Sequence, residues 1–142
     1  MPRYVVDASV VAKWVLPDES EEAGPAKLKQ DLVEGRVELH APSIMPVEVA
    51  NVLWRAERAG RIARSDATEA LRALGGLRLA LHELGWDGIL ESFELASSLD
   101  MVMYDAAYLL VSSRLKAPLI TADVSLYEKS KAKYRSLLVR DY

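Results

Sequence analysis

Short apolar, partly β-branched runs alternate with longer helical segments along this sequence, and that alternation leaves few folds open. Tyr4-Val5-Val6, Val37-Glu38-Leu39-His40, Leu119-Ile120-Thr121 and Leu137-Leu138-Val139 read as strands, with a further short strand at His82-Glu83-Leu84. Between them lie segments of helical period. Strands separated by helices cannot pair as hairpins, so they form a parallel sheet with helices on both faces. The expected architecture is a parallel sheet with helices on both faces, in one domain spanning residues 1–142.

The helical segments can be placed from their stops and starts. Asp7 to Val15 predicts a brief helix halted by Pro17. Glu19 to Glu34 predicts a polar, solvent-facing helix that Gly24-Pro25 weakens or divides. Ser43 is a cap for the next helix, with Pro46 in its first turn and Gly60 beyond its end. A helix from Ser65 or Asp66 carries apolar residues out to Leu81, with Gly75-Gly76 as a weak point inside it. Ile89, Leu90, Phe93 and Ala96 mark an apolar helical face, and Tyr104, Ala107, Tyr108, Val111 and Leu115 mark another. A short helix around Leu126 precedes the last strand.

Composition removes several kinds of chemistry. The absence of cysteine excludes a disulfide scaffold, a cysteine zinc site and a thiol nucleophile. No run approaches the apolar length of a membrane helix, and the N-terminus leads directly into a strand pattern. The expectation is a cytoplasmic protein without a membrane segment. A net charge of -3 argues against a generic nucleic-acid binder. With four of the 21 acids bound to cations, however, 17 would face 18 bases, which suits an enzyme that meets phosphates through metal.

The acids at the ends of strands supply such a set. Asp7 follows the first strand and Asp123 follows Leu119-Ile120-Thr121, so both project from the carboxyl edge of a parallel sheet, where ligands of open α/β folds bind. Asp105 and Glu48 stand near the starts of helices, which place them on the same edge. Taken singly, Asp7, Asp105 and Asp123 each read more readily as a helix cap or a dipole partner, and Glu48 as a solvated helix residue. Glu48, Asn51 and Arg55, however, form a polar stripe on an otherwise apolar helix. Four carboxylates converging without a counter-charge would repel, and a divalent cation removes that penalty. Oxygen donors favour Mg²⁺ or Mn²⁺, and such a centre suits phosphodiester hydrolysis.

Other residues have duller readings. Lys13, Arg55 and Arg58 can meet phosphates but read first as surface charges. Trp14, Trp54 and Trp86 can stack bases, yet core or interface burial is the more ordinary reading. Tyr104 and Tyr108 read as packing residues. His40 and His82 flank strands and match no metal-ligand spacing, which makes them structural.

These motifs together resemble one family. Asp7-Ala8-Ser9-Val10 with Lys13-Trp14 and Glu19, then Pro46-Val47-Glu48-Val49-Ala50-Asn51-Val52-Leu53, Tyr104-Asp105-Ala106-Ala107-Tyr108-Leu109, and Thr121-Ala122-Asp123 are similar to the four motifs of PIN-domain ribonucleases, in their order. The nearest likeness is to VapC-type toxins of prokaryotic toxin–antitoxin pairs. One departure is that Met101 and Met103 precede Tyr104-Asp105 where many relatives carry Ser or Thr.

The resemblance implies a three-layer α/β/α PIN-like fold with a parallel sheet of four or five strands, and Mg²⁺- or Mn²⁺-dependent cleavage of RNA that leaves a 5′-phosphate and a 3′-hydroxyl. It implies Asp7, Glu48, Asp105 and Asp123 as the catalytic metal-binding acids, Ser9 and Thr121 as supporting hydroxyls, and Asn51 as a further supporting group. It also implies a homodimer and a small antitoxin partner whose C-terminal segment enters the groove. Two other readings compete. An aspartyl-nucleophile phosphatase would need a second Asp two residues after Asp7, where Ser9 stands. A binding module without catalysis needs only the metal or a partner.

Overall fold

The computed structural model describes residues 1–19 and 22–142. Five parallel strands form a single sheet: β1 (Arg3–Val6), β2 (Glu38–Pro42), β3 (Leu79–His82), β4 (Leu119–Thr121) and β5 (Ser136–Leu138). Their order is β3-β2-β1-β4-β5. Seven α-helices are described: α1 (Ala8–Val15), α2 (Ala23–Val33), α3 (Met45–Arg58), α4 (Arg64–Gly75), α5 (Gly85–Leu99), α6 (Met103–Leu115) and α7 (Val124–Ser130). A 3₁₀ turn, Val139–Asp141, ends the chain.

The strand order decides where a ligand can sit. The connection from β1 runs out to β2 and β3, while β4 and β5 lie on the other side of β1. Neighbouring strands whose connections leave in opposite directions open a crevice at their carboxyl ends. That crevice lies between β1 and β4, whose register pairs Val5 with Leu119 and Val6 with Ile120. The next residues out, Asp7 and Thr121, therefore face each other across it.

Strand and helix burial explain the apolar pattern. Val5, Val6, Leu119 and Ile120 are fully buried because these central strands are covered on both faces. Helix α6 packs against β1, β2 and β4, and its residues Ala106 to Ser112 are all buried. Helices α1, α2 and α3 pack together through Val10, Val11, Trp14, Leu28, Val49 and Leu53.

Several boundaries differ from those read in the sequence. The helix expected from Glu19 is α2, which starts at Ala23; Ser20 and Glu21 lie outside the described residues. Gly24 and Pro25 fall in its first turn, where a missing N–H breaks no helical hydrogen bond. Nor is α2 simply solvent-facing: Pro25, Leu28, Asp31 and Leu32 are buried, and Trp14 Nε1 donates to the Pro25 carbonyl at 2.8 Å. Ser43 does not cap α3, whose cap position is Ile44. Gly60, at φ 75°, does stand in the left-handed conformation just past its end.

The largest revision concerns Leu81. Helix α4 ends at Gly75, and Leu79 to His82 pair in parallel with Leu39 to Pro42 as β3. The helical spacing of Leu81 was coincidental, and the strand expected at His82 begins three residues earlier, at Leu79. The apolar residues of α5 also behave unexpectedly. Leu90 and Phe93 are each 61% exposed, because α5 turns Gly88 and Ser92 inward and packs on α6.

Gly24 shows how tightly the C-terminus closes on α2. A Cβ at this position would lie 2.0 Å from the Val139 carbonyl oxygen, which is backbone and cannot swing aside. Gly24→Ala is expected to lower unfolding stability by about 2–3 kcal/mol. Urea denaturation of the two proteins at equal concentration checks this.

Candidate active site

The crevice between β1 and β4 opens into a cavity of about 350 Å³. It is lined by Asp7, Ser9, Glu48, Asn51, Tyr104, Asp105 and Asp123, together with Ala8, Ile44, Val47 and Val52. Each of the four acids arrives at or next to a helix start: Asp7 at α1, Glu48 in the first turn of α3, Asp105 in that of α6, and Asp123 at α7. Helix N-termini favour negative charge and carry unpaired N–H groups, so the edge tolerates anions better than its burial alone would allow.

Asp7 is the most enclosed, at 5% exposure. It occupies the cap position of α1 without a side-chain cap bond, while its place at the helix N-terminus and the Ser9 backbone N–H that favours its charge keep the dipole-partner reading. Its Oδ2 instead accepts hydrogen bonds from Ser9 Oγ at 2.5 Å and Thr121 Oγ1 at 2.9 Å. Both hydroxyls also accept from backbone: Ala122 N donates to Ser9 Oγ and Asp123 N to Thr121 Oγ1, each at 3.0 Å. Ser9 and Thr121 thus tie α1 to the turn after β4 and fix one Asp7 oxygen. Burial raises the Asp7 pKa, the two hydroxyls pull against that rise, and Asp123 adds to it.

Glu48 and Asp105 are held in similarly uncomfortable settings. Burial pushes Glu48 up to about 7, reinforced by the charges of Asp7 and Asp105 and opposed by Tyr108, whose hydroxyl donates to Glu48 Oε1 at 2.9 Å. Burial also lifts Asp105 to about 6, with Asp7 and Asp123 contributing and Lys129 pulling the other way. Asp105 makes no cap bond to α6. Asp123 does cap α7, accepting from Leu126 N at 3.2 Å, so the ordinary reading holds in part for that residue.

Tyr108 was underrated by its sequence context. It is fully buried, yet its hydroxyl reaches the site, and its pKa is raised by burial and by Asp7 and Glu48. The available signal was its spacing of three residues from Asp105, which puts both on one helix face. Tyr104, also expected to be packing, is 55% exposed on the cavity wall. Lys129 was missed altogether; only the turn of α7 brings it near Asp105.

Among the basic candidates, Lys13 pairs with Glu19 and Glu22 at 3.2 and 3.1 Å and is engaged internally. Trp14 is buried as expected, but Trp54 and Trp86 are 56% and 82% exposed. Arg58 lies over the Trp54 ring, 5.7 Å from its centroid. Asn51 lines the cavity two turns of helix before it.

The donor set fits a hard divalent cation. Its charged groups are carboxylates, and no His lines the cavity. Among the described residues, no three His, Asp or Glu side chains are already drawn into a metal-ready cage. Carboxylates without a counter-charge have every reason to stay apart, and their upward pKa shifts record that repulsion together with burial.

Comparison with known proteins agrees with this architecture. Residues 4–132 match the PIN domain. The chain is 32% identical to ribonuclease VapC3 of Pyrobaculum aerophilum over 131 residues, 92% of this chain and 96% of that protein. The fold is similar to that of PAE2754 from Pyrobaculum aerophilum, with a TM-score of 0.71 at 21% identity, covering 99% of this chain and 92% of that one. It is also similar to that of Mycobacterium tuberculosis VapC20, a sarcin–ricin loop cleaving toxin, with a TM-score of 0.66 at 14% identity over 92% and 95% of the two chains. The chain belongs to the PIN-domain family, within its VapC ribonucleases.

Proposed function

We propose that this protein is a metal-dependent endoribonuclease of the toxin type, with Asp7, Glu48, Asp105 and Asp123 as its catalytic acids. The observation that carries this reading is the lining of one cavity, at the sheet's switch point, by carboxylates from four separate segments. Burying like charges together is costly, and a divalent cation would offset that cost.

In this reading the four acids hold Mg²⁺ or Mn²⁺, which supplies a nucleophilic water and counter-charge for the leaving oxygen. Ser9 and Thr121 keep one Asp7 oxygen pinned at the cavity wall. Tyr108 orients Glu48. Without metal, burial holds the Glu48 pKa up to about 7, so a cation entering the site displaces that proton. Asn51 and Tyr104 on the cavity wall position the RNA, which leaves as a 5′-phosphate and a 3′-hydroxyl.

The partners follow the same reading. The exposed apolar ridge of α5, with Trp86, Leu90 and Phe93, supports a homodimer face. Val47 and Tyr104, exposed on the cavity wall, supply an apolar rim that suits the C-terminal segment of an antitoxin. No described helix is long and apolar enough to cross a membrane.

The test is incubation of purified protein with stem-loop RNAs in Mn²⁺, followed by chelator. Cutting that stops with chelator and returns with Mn²⁺ supports the nuclease. Hydrolysis of a small phosphomonoester alone would replace it with the phosphatase, and neither activity would leave the binding module.

Tyr108→Phe separates positioning from packing. It removes the hydrogen bond to Glu48 while keeping the ring, so cleavage should fall about 10- to 100-fold. Because that bond lowers the Glu48 pKa, the acid limb of the pH–rate profile should move to higher pH. A rate loss with an unmoved profile would mean that Tyr108 merely packs.

A further inference from the structure

Positive charge is gathered at one end of this acidic chain. Lys129-Ser130-Lys131-Ala132-Lys133-Tyr134-Arg135 carries a cation at every second position, although the net charge is -3. The segment starts in the last turn of α7 and runs to β5, so it arrives at the amino edge of the sheet, opposite the acids. The start of β1 and the turn between α6 and β4 meet it there. Val5 N donates to the Pro118 carbonyl and Leu119 N to the Arg135 carbonyl, each at 2.8 Å. Two adjoining hollows occupy this edge. One, of about 590 Å³, is walled by Tyr4, Tyr127 and Tyr134 with Lys131 and Arg135. The other, of about 250 Å³, adds Arg3 and Lys116 and shares Tyr4, Pro118 and Arg135 with the first. No described Asp or Glu lines either hollow.

We infer, resting on the nuclease reading of the acids, that this amino edge is a second RNA surface, which takes the single-stranded flank of the RNA cut at the cavity. Three features carry this. First, the cations are largely uncompensated. Lys131 pairs with Glu128 at 2.7 Å, but among the described residues no acid lies within ion-pair distance of Lys116, Lys133 or Arg135. Such cations hold phosphates without reading sequence. Second, tyrosines stand between them. Flat rings beside a cationic track are the combination that binds single strands, because every base has a face to stack. An acidic peptide answers the charge but not the rings. Third, Lys116 stands at φ 51°, the left-handed conformation that glycine adopts without strain. Lysine in that position keeps a cation at the rim, beside Arg3, whose Nη2 donates to the Leu115 carbonyl at 3.3 Å.

Helix α7 sets the reach between the two surfaces. Its cap residue, Asp123, lines the acidic cavity, and its 7 residues span about 10 Å. Lys129, in its last turn, acts on Asp105 and so lies on the path from one surface to the other. A strand rising about 3.4 Å per nucleotide covers that path in about three nucleotides. Shorter flanks end before the amino edge and leave its cations without phosphate.

The test is fluorescence anisotropy of a labelled oligouridylate of about 12 nucleotides with the intact protein in chelator, which stops cutting. Lys116→Gln with Arg135→Gln should weaken binding at least about tenfold. It should also flatten the salt dependence by about 1.4, for two single-strand phosphate contacts at about 0.7 each. The same loss of charge on α4, Arg64→Gln with Arg72→Gln, should change affinity by less than about twofold. In Mn²⁺, the Lys116→Gln, Arg135→Gln protein should cut a long-flanked RNA with raised KM and unchanged kcat, and a short-flanked RNA as the parent does. Equal weakening by the two double variants, or an unchanged salt slope, overturns the surface and leaves the nuclease standing. Uridine monophosphate or polyglutamate binding as tightly as the oligouridylate also overturns it, in favour of a free nucleotide or an acidic protein. Binding as expected with no RNA cut in any metal sinks the nuclease reading and leaves an RNA-binding surface. Should the double variant fail to fold, Arg135→Gln alone decides, with a slope change of about 0.7.

Discussion

Asp7→Asn is expected to abolish RNA cleavage, by about a thousandfold or more, while making the metal-free protein harder to unfold. A thousandfold loss corresponds to about 4 kcal/mol of transition-state stabilisation, the share expected of Asp7 under the proposal that it ligates the activating cation. The stability gain has a separate cause. Asp7 is almost fully buried, near Asp123, and its pKa is raised. An amide keeps the shape, and its oxygen still accepts from Ser9 and Thr121, but it brings no charge to desolvate. Thermal unfolding in chelator and a gel-based cleavage assay, run on the same preparation, measure both effects. Cleavage retained by a folded Asp7→Asn protein would remove Asp7 from the chemistry. A lower melting temperature would mean that its charge is compensated inside the fold.

The second large effect is on pH. Glu48, at about 7, and Asp105, at about 6, are raised above their ordinary values of 4.5 and 3.8. A raised carboxyl binds its proton more tightly in the folded than in the unfolded chain. Its stabilising contribution is full below the unfolded value and is lost as pH rises through the folded one. In chelator, therefore, melting temperature should fall between about pH 5 and about pH 8. Protons and cations compete for the same oxygens, so the metal dependence runs the opposite way. Between about pH 8 and about pH 5, Glu48 alone should weaken the apparent affinity for Mn²⁺ by about a hundredfold. Mn²⁺ should raise the melting temperature strongly at the alkaline end and scarcely at the acid end. A Mn²⁺ affinity independent of pH would take Glu48 out of the metal site.

Both expectations turn on convergence, and convergence was only partly readable from residue order. Apolar runs such as Tyr4-Val5-Val6 and Leu119-Ile120-Thr121 announce buried strands because few other contexts accept them. An acid after each such run is therefore at a sheet edge before any coordinate is known. The four motifs specified the family for the same reason: each couples a local structure to a chemical group. Local pattern fails where a contact made elsewhere decides. Leu81 keeps helical spacing with Leu74, but pairing with Ala41 makes it strand. Tyr108 reads as core until the meeting of α3 and α6 shows its hydroxyl on Glu48. His40 and His82 look unrelated until a strand register brings their nitrogens together.

What the sequence determined by itself is therefore the alternating parallel sheet, the four acids and the family, because hydrophobic period and residue chemistry are local properties. Tertiary structure alone decided that β1 and β4 are neighbours, that Asp7 is pinned by Ser9 and Thr121 instead of capping α1, and that the apolar face of α5 points outward. Those depend on strand order and on the packing of distant segments, which reflect the free energy of the whole fold and are written in no single stretch of it.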